Sequence, residues 1–288
     1  MLAKAPGLGA DMVFVDLEDS VAAREMVAAR GLAVAAIRDS DWGDAVVSVR
    51  VNAWDSAHTL RDLVDVVALA GPRLDTVMLP KVQRPAEVIA LDLVLAQIER
   101  EAGLAAGHLG IEAQIETARG MLEVDAICAA SPRLEAIILG PGDLAASMEM
   151  PVLSGGVQIP EYPGDHFNYV FTRILLAGRA AGVQVIDGPY FRIRDLAGLR
   201  DYTQRVRVLG YDGKWALHPD QIAVINELFS PTLEQYERAR RMLDAYAQST
   251  GSDGRGAVLF DGEMIDEASR KMAAKFVSRG ERAGLRRS

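Results

Sequence analysis

Seven short apolar runs punctuate the chain: DMVFVDLED, AVVSVRVN, DTVMLPK, GIEAQIET, EAIILGPGD, VQVIDGPY and KWALHPD. Between them lie Ala-, Leu- and Arg-rich stretches with helical spacing, such as RPAEVIALDLVLAQIERE and DHFNYVFTRILLAGRAAG. This alternation is the pattern of βα units wound on a parallel sheet. Each run ends in polar or special residues: Asp16, Glu18 and Asp19; Arg50 and Asn52; Lys81; Glu116; Asp143; Asp187; His218. In a (β/α)8 barrel the active site is assembled at the C-terminal strand ends, so polar endings on every run point to one convergent site. A doubly wound sheet, the alternative, would concentrate function at a switch point and leave most other strand ends silent.

The expected fold is therefore α/β, a TIM barrel over residues 1–249 followed by a linker and C-terminal lid segment over 250–288. QSTGSDGRGA reads as the flexible linker, and VLFDGEMIDEASRKMAAKFVSRGER as a strand-like and then helical tail. A barrel of this type needs eight strands and the sequence offers seven. MLAKAPGLGA reads as a short helical segment leading into the first run, so the strand expected before it is missing from this chain.

Composition narrows the function. The formal charge is −9 and the basic residues form no long run, which argues against a general attraction to nucleic acid or to an anionic membrane. An anionic substrate would need a local basic pocket. The single Cys128 can form no intramolecular disulfide and reads as a buried thiol in a reducing compartment. No signal-peptide h-region and no run of ~18 apolar residues occurs, so a soluble cytoplasmic protein is expected.

Glu116 and Asp143 end two successive runs, which in a barrel makes their carboxylates neighbours. Two hard oxygen donors with no nearby Cys or His pair favour Mg²⁺, or Mn²⁺, over Zn²⁺, with water and substrate completing an octahedron. Asp143 is equally well placed to cap the following helix, and the two roles are compatible. The DLED cluster at 16–19 brings more acids to a neighbouring strand end, and full ionisation of all of them requires a cation or basic groups. Arg50, Lys81 and Arg119 are the candidates to balance them, while Glu18 and Asp19 are alternatively helix-start residues. Arg50 offers two donors to a carboxylate or carbonyl, or else an ion pair to DLED. Lys81 with Arg84 forms a candidate phosphate pocket, and His218 is a further candidate on the cofactor side. No nucleophile elbow, P-loop, dinucleotide fingerprint or zinc pattern is present.

Taken in order, DMVFVDLEDSV, VVSVRVNA, TVMLPKV, QIETARG, ILGPGDLAAS, VIDGPY, GYDGKWALHPDQI and DGEMIDEA resemble the HpcH/HpaI aldolase and citrate lyase β-subunit-like family. The stretch from IPEYPGDHF to GYDGKWALHPDQI is most similar to its L-malyl-CoA/β-methylmalyl-CoA lyase branch. The resemblance implies Mg²⁺ on Glu116 and Asp143, and Arg50 on the substrate, stabilising an enolate-like oxygen. It implies that Asp266 acts as acid/base in a neighbouring subunit's site, within a homotrimer or homohexamer. The implied reaction is reversible cleavage of a 3-hydroxyacyl-CoA to an acyl-CoA and a 2-oxo acid such as glyoxylate. Family members usually open with a strand carrying an R-S-x-L-x-V-P-G-like segment, which this chain lacks. The alternatives are a CoA-independent pyruvate aldolase, a non-catalytic lyase-like subunit, and a thioesterase using the same enolate chemistry.

Overall fold

A computed structural model describes residues 4–152, 159, 162–252 and 256–286. They fall into two compact units, Met1–Ile225 and Asn226–Ser288.

The first unit alternates strand and helix. It comprises β1 (Met12–Asp16), α1 (Met26–Asp39), β2 (Val46–Arg50), α2 (Thr59–Asp62), a π-helical turn (Leu63–Val67), α3 (Ala68–Ala70), β3 (Thr76–Leu79), α4 (Pro85–Ala102), β4 (Gly110–Ile115), α5 (Ala118–Cys128), β5 (Leu134–Leu139), α6 (Pro141–Ser147), α7 (Asn168–Ala181), β6 (Gln184–Asp187), α8 (Leu196–Leu209) and β7 (Gly213–Lys214), and α9 (Pro219–Phe229) follows. All seven strands pair in parallel, in chain order. Each expected apolar run thus contains one strand.

The central strands β2, β3 and β4 are buried on nearly every residue and so read as continuous apolar runs, whereas β1 is mostly half-buried. β4 is the clearest case. Ile111, Ala113 and Ile115 are fully buried, and the alternate residues Glu112 and Gln114 are buried polar groups. The α4 side chains Val88, Leu91 and Leu95, at i, i+3 and i+7, are also fully buried. Burial of each contributes on the order of 1.5–3 kcal/mol. Cys128, at the end of α5, is buried as expected, and burial pushes its thiol up to about 12.

The sheet is curled. Arg50 of β2 reaches Gln114 of β4 across the intervening strand, so both side chains lie on the same face. Phe14 of β1 meets Trp215, just past β7, edge to face at 4.5 Å between ring centroids. The first and last strands share no ladder among the described residues, so the architecture is a seven-stranded, TIM-barrel-like half-barrel.

Two local expectations are corrected. Of the expected short helical segment, residues 1–3 lie outside the described ones and Lys4 is in a 3₁₀ turn, but residues 5–8 bend and turn, because Gly7 and Gly9 adopt φ of 83° and 76°, a left-handed conformation that breaks helical hydrogen bonding. The run KWALHPD keeps ladder geometry only through Lys214 and the Trp215 N–H, which donates to Asp187 O at 2.9 Å. His218 therefore lies beyond the strand, immediately before α9.

The second unit contains α10 (Leu233–Ser252), an antiparallel hairpin of β8 (Val258–Phe260) and β9 (Glu263–Ile265), and α11 (Glu267–Arg282). Residues 249–252 of the expected linker form the last turn of α10, and residues 253–255 lie outside the described ones. Among the described residues no helix is long and apolar enough to cross a membrane.

Candidate active site

Arg50, the last residue of β2, is buried and held from three sides. Its Nε and Nη2 donate to Asp16 Oδ1 and Oδ2 at 2.8 and 2.7 Å, a bidentate pair across the β1–β2 register. Its Nη1 lies 3.2 Å from Glu18 Oε2 and 3.4 Å from Gln114 Oε1. The guanidinium also stacks 5.1 Å from the Trp215 ring centroid. Burial disfavours the Asp16 charge, but the Arg50 bonds outweigh it and lower the Asp16 pKa.

Glu116 follows β4 and is 1% exposed. Its Oε1 accepts the Lys81 backbone N–H at 2.7 Å, and its Oε2 accepts Gln114 Nε2 at 2.6 Å. Gln114 thus joins Glu116 to Arg50 through the two ends of one amide. Close approach of the carboxylate to the end of β5 depends on Gly140, where a Cβ would stand 2.1 Å from Glu116 Oε2. Burial, and then the charge of nearby Asp143, push the Glu116 pKa up to about 8.

Asp143 sits in the first turn of α6, whose N-cap is Gly140 with no side-chain cap bond. The alternative role as a helix cap is therefore not used, and its carboxylate remains open to solvent at 44% exposure. Glu18 is likewise no helix-start residue. It is buried among Lys81 and Arg50, well before α1, and burial raises its pKa.

Lys81 adopts φ 52°, rare for a side-chain-bearing residue. That backbone turn aims its N–H at Glu116 while its Nζ bonds Glu18 and approaches Asp19 at 3.3 Å and Asp143 at 3.8 Å. Burial opposes its charge, but these carboxylates raise the pKa. The ammonium is thus directed at acids in this arrangement. A depression beside it is lined by Glu18, Asp19, Met26, Asn52, Ser56 and Lys81.

The structure gathers Arg50, Lys81, Glu116 and Asp143 at one mouth. His218 pairs with Asp220 at 3.4 Å and its backbone N–H donates to Gln221, and among the described residues no hydrogen bond or ion pair joins it to that cluster. Arg119 pairs with Glu123 at 2.6 Å. Asp266 belongs to the second unit, where it is exposed and caps α11 by accepting the Ser269 N–H at 3.1 Å. Sequence reasoning missed Gln114 and Trp215. Gln114 was detectable from its spacing, two residues before Glu116 on the same strand face.

Among the described residues no group of three or more His, Cys, Asp or Glu is arranged to hold a metal ion, so a divalent cation at the mouth would take carboxylate donors and leave its other positions to water and substrate. Five carboxylates (Asp16, Glu18, Asp19, Glu116, Asp143) face two cations (Arg50, Lys81), a formal excess of three negative charges. Glu116 bears the consequence: burial first, and then the charges of Asp143 and Glu18, disfavour its ionised form. Glu116 and Asp143 supply the hard oxygen donors that magnesium takes.

Residues 1–219 match the HpcH/HpaI aldolase/citrate lyase family. The chain belongs to that family. Both activities in the family's name break carbon–carbon bonds, and the chain is an enzyme of that lyase class. It is 39% identical to the L-malyl-CoA/β-methylmalyl-CoA lyase of Cereibacter sphaeroides, over 96% of this chain and 90% of that protein. It is also 34% identical to a (3S)-malyl-CoA thioesterase of the same organism, over 92% of this chain and 85% of the relative. Among solved structures it is similar to the CitE protein of Mycobacterium tuberculosis in complex with magnesium, acetoacetate and coenzyme A. That match has a TM-score of 0.71 and 32% identity, covering 94% of this chain and 90% of the other.

Proposed function

We propose that this family member cleaves a 3-hydroxyacyl-CoA of the malyl-CoA, β-methylmalyl-CoA or citramalyl-CoA type. The products are an acyl-CoA and a 2-oxo acid such as glyoxylate, and the reaction is reversible. The observation that carries the reading is the convergence of Arg50 with Glu116, linked through Gln114, and of both with Asp143, which Lys81 joins to Glu116. The similarity to a malyl-CoA lyase and to a magnesium- and coenzyme A-bound neighbour supports the substrate class.

In this reading Glu116 and Asp143 hold Mg²⁺, with Mn²⁺ as the natural substitute. Bound there, the ion supplies Lewis acidity and a template for the 2-oxo acid's oxygens. Arg50 is the preorganised donor toward the thioester oxygen, where negative charge develops as the carbon–carbon bond breaks. Asp16 and Trp215 keep its plane fixed, so little reorganisation accompanies that charge. Lys81 holds the acidic rim together, and His218 lies on the coenzyme side. Asp266, acting from a neighbouring subunit of a homotrimer or homohexamer, donates a proton to the enolate carbon, balancing the one the 3-hydroxyl gives up to solvent as the oxo acid's carbonyl forms, or abstracts it in the condensing direction. Selection of the acyl substituent falls in this reading to the loop of residues 148–165, of which 153–158 and 160–161 lie outside the described residues.

A second reading rests on the thioesterase relative. Hydrolysis of malyl-CoA would release malate and free CoA thiol, whereas cleavage releases glyoxylate and leaves the thioester intact. Following glyoxylate as its phenylhydrazone beside thiol release separates the two. Glyoxylate without thiol supports the lyase, and thiol with no glyoxylate contradicts it.

A further inference from the structure

The β1–β2 ladder ends at the pair Asp16 and Arg50, yet the strands stay joined beyond it. The Leu17 N–H donates to Arg50 O at 2.9 Å. The next rung is made by a side chain, with Asn52 Nδ2 donating to Leu17 O at 2.8 Å. The same Nδ2 donates to Asp62 Oδ2 at 2.6 Å, and that oxygen also accepts the Asn52 backbone N–H at 2.9 Å. Asp62 is fully buried, and its other oxygen takes Arg30 Nε at 2.8 Å, while Arg30 Nη2 reaches His58 O at 3.2 Å.

This network fixes one orientation of the Asn52 amide. A flipped amide would set its oxygen against a carboxylate and a carbonyl, both acceptors. A buried Arg–Asp pair carries a desolvation cost that its attraction only partly offsets, so stability alone is a weak account of it. The network's geometric consequence is specific. Leu17, which it pins, lies between Asp16, the bidentate partner of Arg50, and Glu18, which bridges Arg50 Nη1 and Lys81 Nζ.

We propose that Asn52 is a positioning residue for the cleavage step, acting through Arg50. Its side chain replaces a missing backbone rung and holds the Asp16–Glu18 turn so that both carboxylates stay on the guanidinium. Arg30 and Asp62 are its buried support. The proposal rests on the role given to Arg50 under the lyase reading. Without the rung, the peptide linking the two carboxylates is free to turn, and the Arg50 donors lose their fixed direction.

The test compares full-length wild type, Asn52→Ala, Asn52→Ser, Arg50→Lys and the Asn52→Ala/Arg50→Lys double variant. The readouts are kcat and KM for malyl-CoA, Mg²⁺ affinity by calorimetry, and substrate-free amide hydrogen exchange at Leu17 and Glu18. The proposal expects kcat to fall at least about tenfold in both Asn52 variants, in line with the known sensitivity of rate to misplaced groups. It expects KM and Mg²⁺ affinity to stay within about threefold, exchange at Leu17 and Glu18 to accelerate, and the double variant to be little worse than Arg50→Lys alone, the signature of coupled residues. Losses that multiply in the double variant, or exchange at the turn unchanged from wild type, would overturn it. If the wild type releases no glyoxylate, the lyase reading has failed, and the exchange rates still decide whether Asn52 holds the turn.

Discussion

A Cβ on Gly140 would stand 2.1 Å from Glu116 Oε2 and 2.4 Å from Glu116 Cβ. The backbone at the end of β5 is thus the wall against which this buried carboxylate rests. Gly140→Ala must push the Glu116 side chain away from Asp143's helix while leaving both carboxylates in the chain. The φ of −100° at Gly140 is open to alanine, so the effect is one of crowding. Calorimetric titration is expected to show Mg²⁺ binding weakened by about 10- to 100-fold, the range for losing a group that orients a metal ligand.

Arg50→Lys replaces a two-pronged donor by a point charge. Lysine cannot bond both Asp16 oxygens in the plane fixed by Trp215. The expected outcome is a loss of about 10²- to 10³-fold in kcat, as for removal of a preorganised donor to a developing oxyanion. Mg²⁺ affinity should change little, because Glu116 and Asp143 are retained. Steady-state kinetics at saturating Mg²⁺ check the first expectation, and calorimetry checks the second.

Acid stability depends on Glu99, near the C-terminal end of α4. Its carboxylate takes Arg133 at 2.5 and 2.7 Å and the backbone N–H groups of Gly107 and Leu109 at 3.0 and 2.9 Å. Burial opposes ionisation, but the Arg133 and backbone bonds prevail and hold its pKa at about 2, below the ordinary 4.5. A depressed carboxylate contributes stability that is fully present above its unfolded pKa and is lost as pH falls toward its folded one. The stability gap between wild type and Glu99→Gln should therefore be constant at neutral pH, begin to shrink near 4.5, and be mostly gone by about 2. Urea denaturation of both proteins at a series of pH values measures it.

Asp266 caps α11 by accepting the Ser269 N–H, so substitution there mixes helix stability with chemistry. Asparagine caps as well as aspartate, whereas alanine does not. If the carboxylate is the acid/base group, Asp266→Asn should lose activity with the melting temperature unchanged, while Asp266→Ala should lose both. Activity retained by the asparagine variant would reduce Asp266 to a cap.

The half-barrel was legible because burial writes the central strands as apolar runs, and because every run ended in a residue with chemistry. Glu116, Asp143 and Arg50 could be named for that reason. An ion pair of Arg50 with DLED was open from the sequence, and Gln114 stands only two residues before Glu116. That Asp16 is the bidentate partner, and that Gln114 also reaches Arg50, follows from the register β1–β2–β3–β4 and the curl of the sheet, which no local pattern encodes. Lys81 read both as a balance for the DLED acids, which its Nζ on Glu18 and Asp19 bears out, and as a phosphate contact; the left-handed backbone that favours the first is invisible in MLPKV. His218 read as a strand end because the ladder's early stop after Lys214 leaves no mark in KWALHPD.

The central claim is that Glu116 and Asp143 hold a magnesium ion that the cleavage requires. It is tested most directly by following glyoxylate release from L-malyl-CoA by the full chain with and without Mg²⁺, beside Glu116→Gln, a variant that removes charge but keeps shape. The account predicts release that depends on Mg²⁺, is abolished by EDTA, returns with Mg²⁺ or Mn²⁺, and is lost in Glu116→Gln together with Mg²⁺ binding, while the melting temperature holds. Release that survives either EDTA or Glu116→Gln would contradict it.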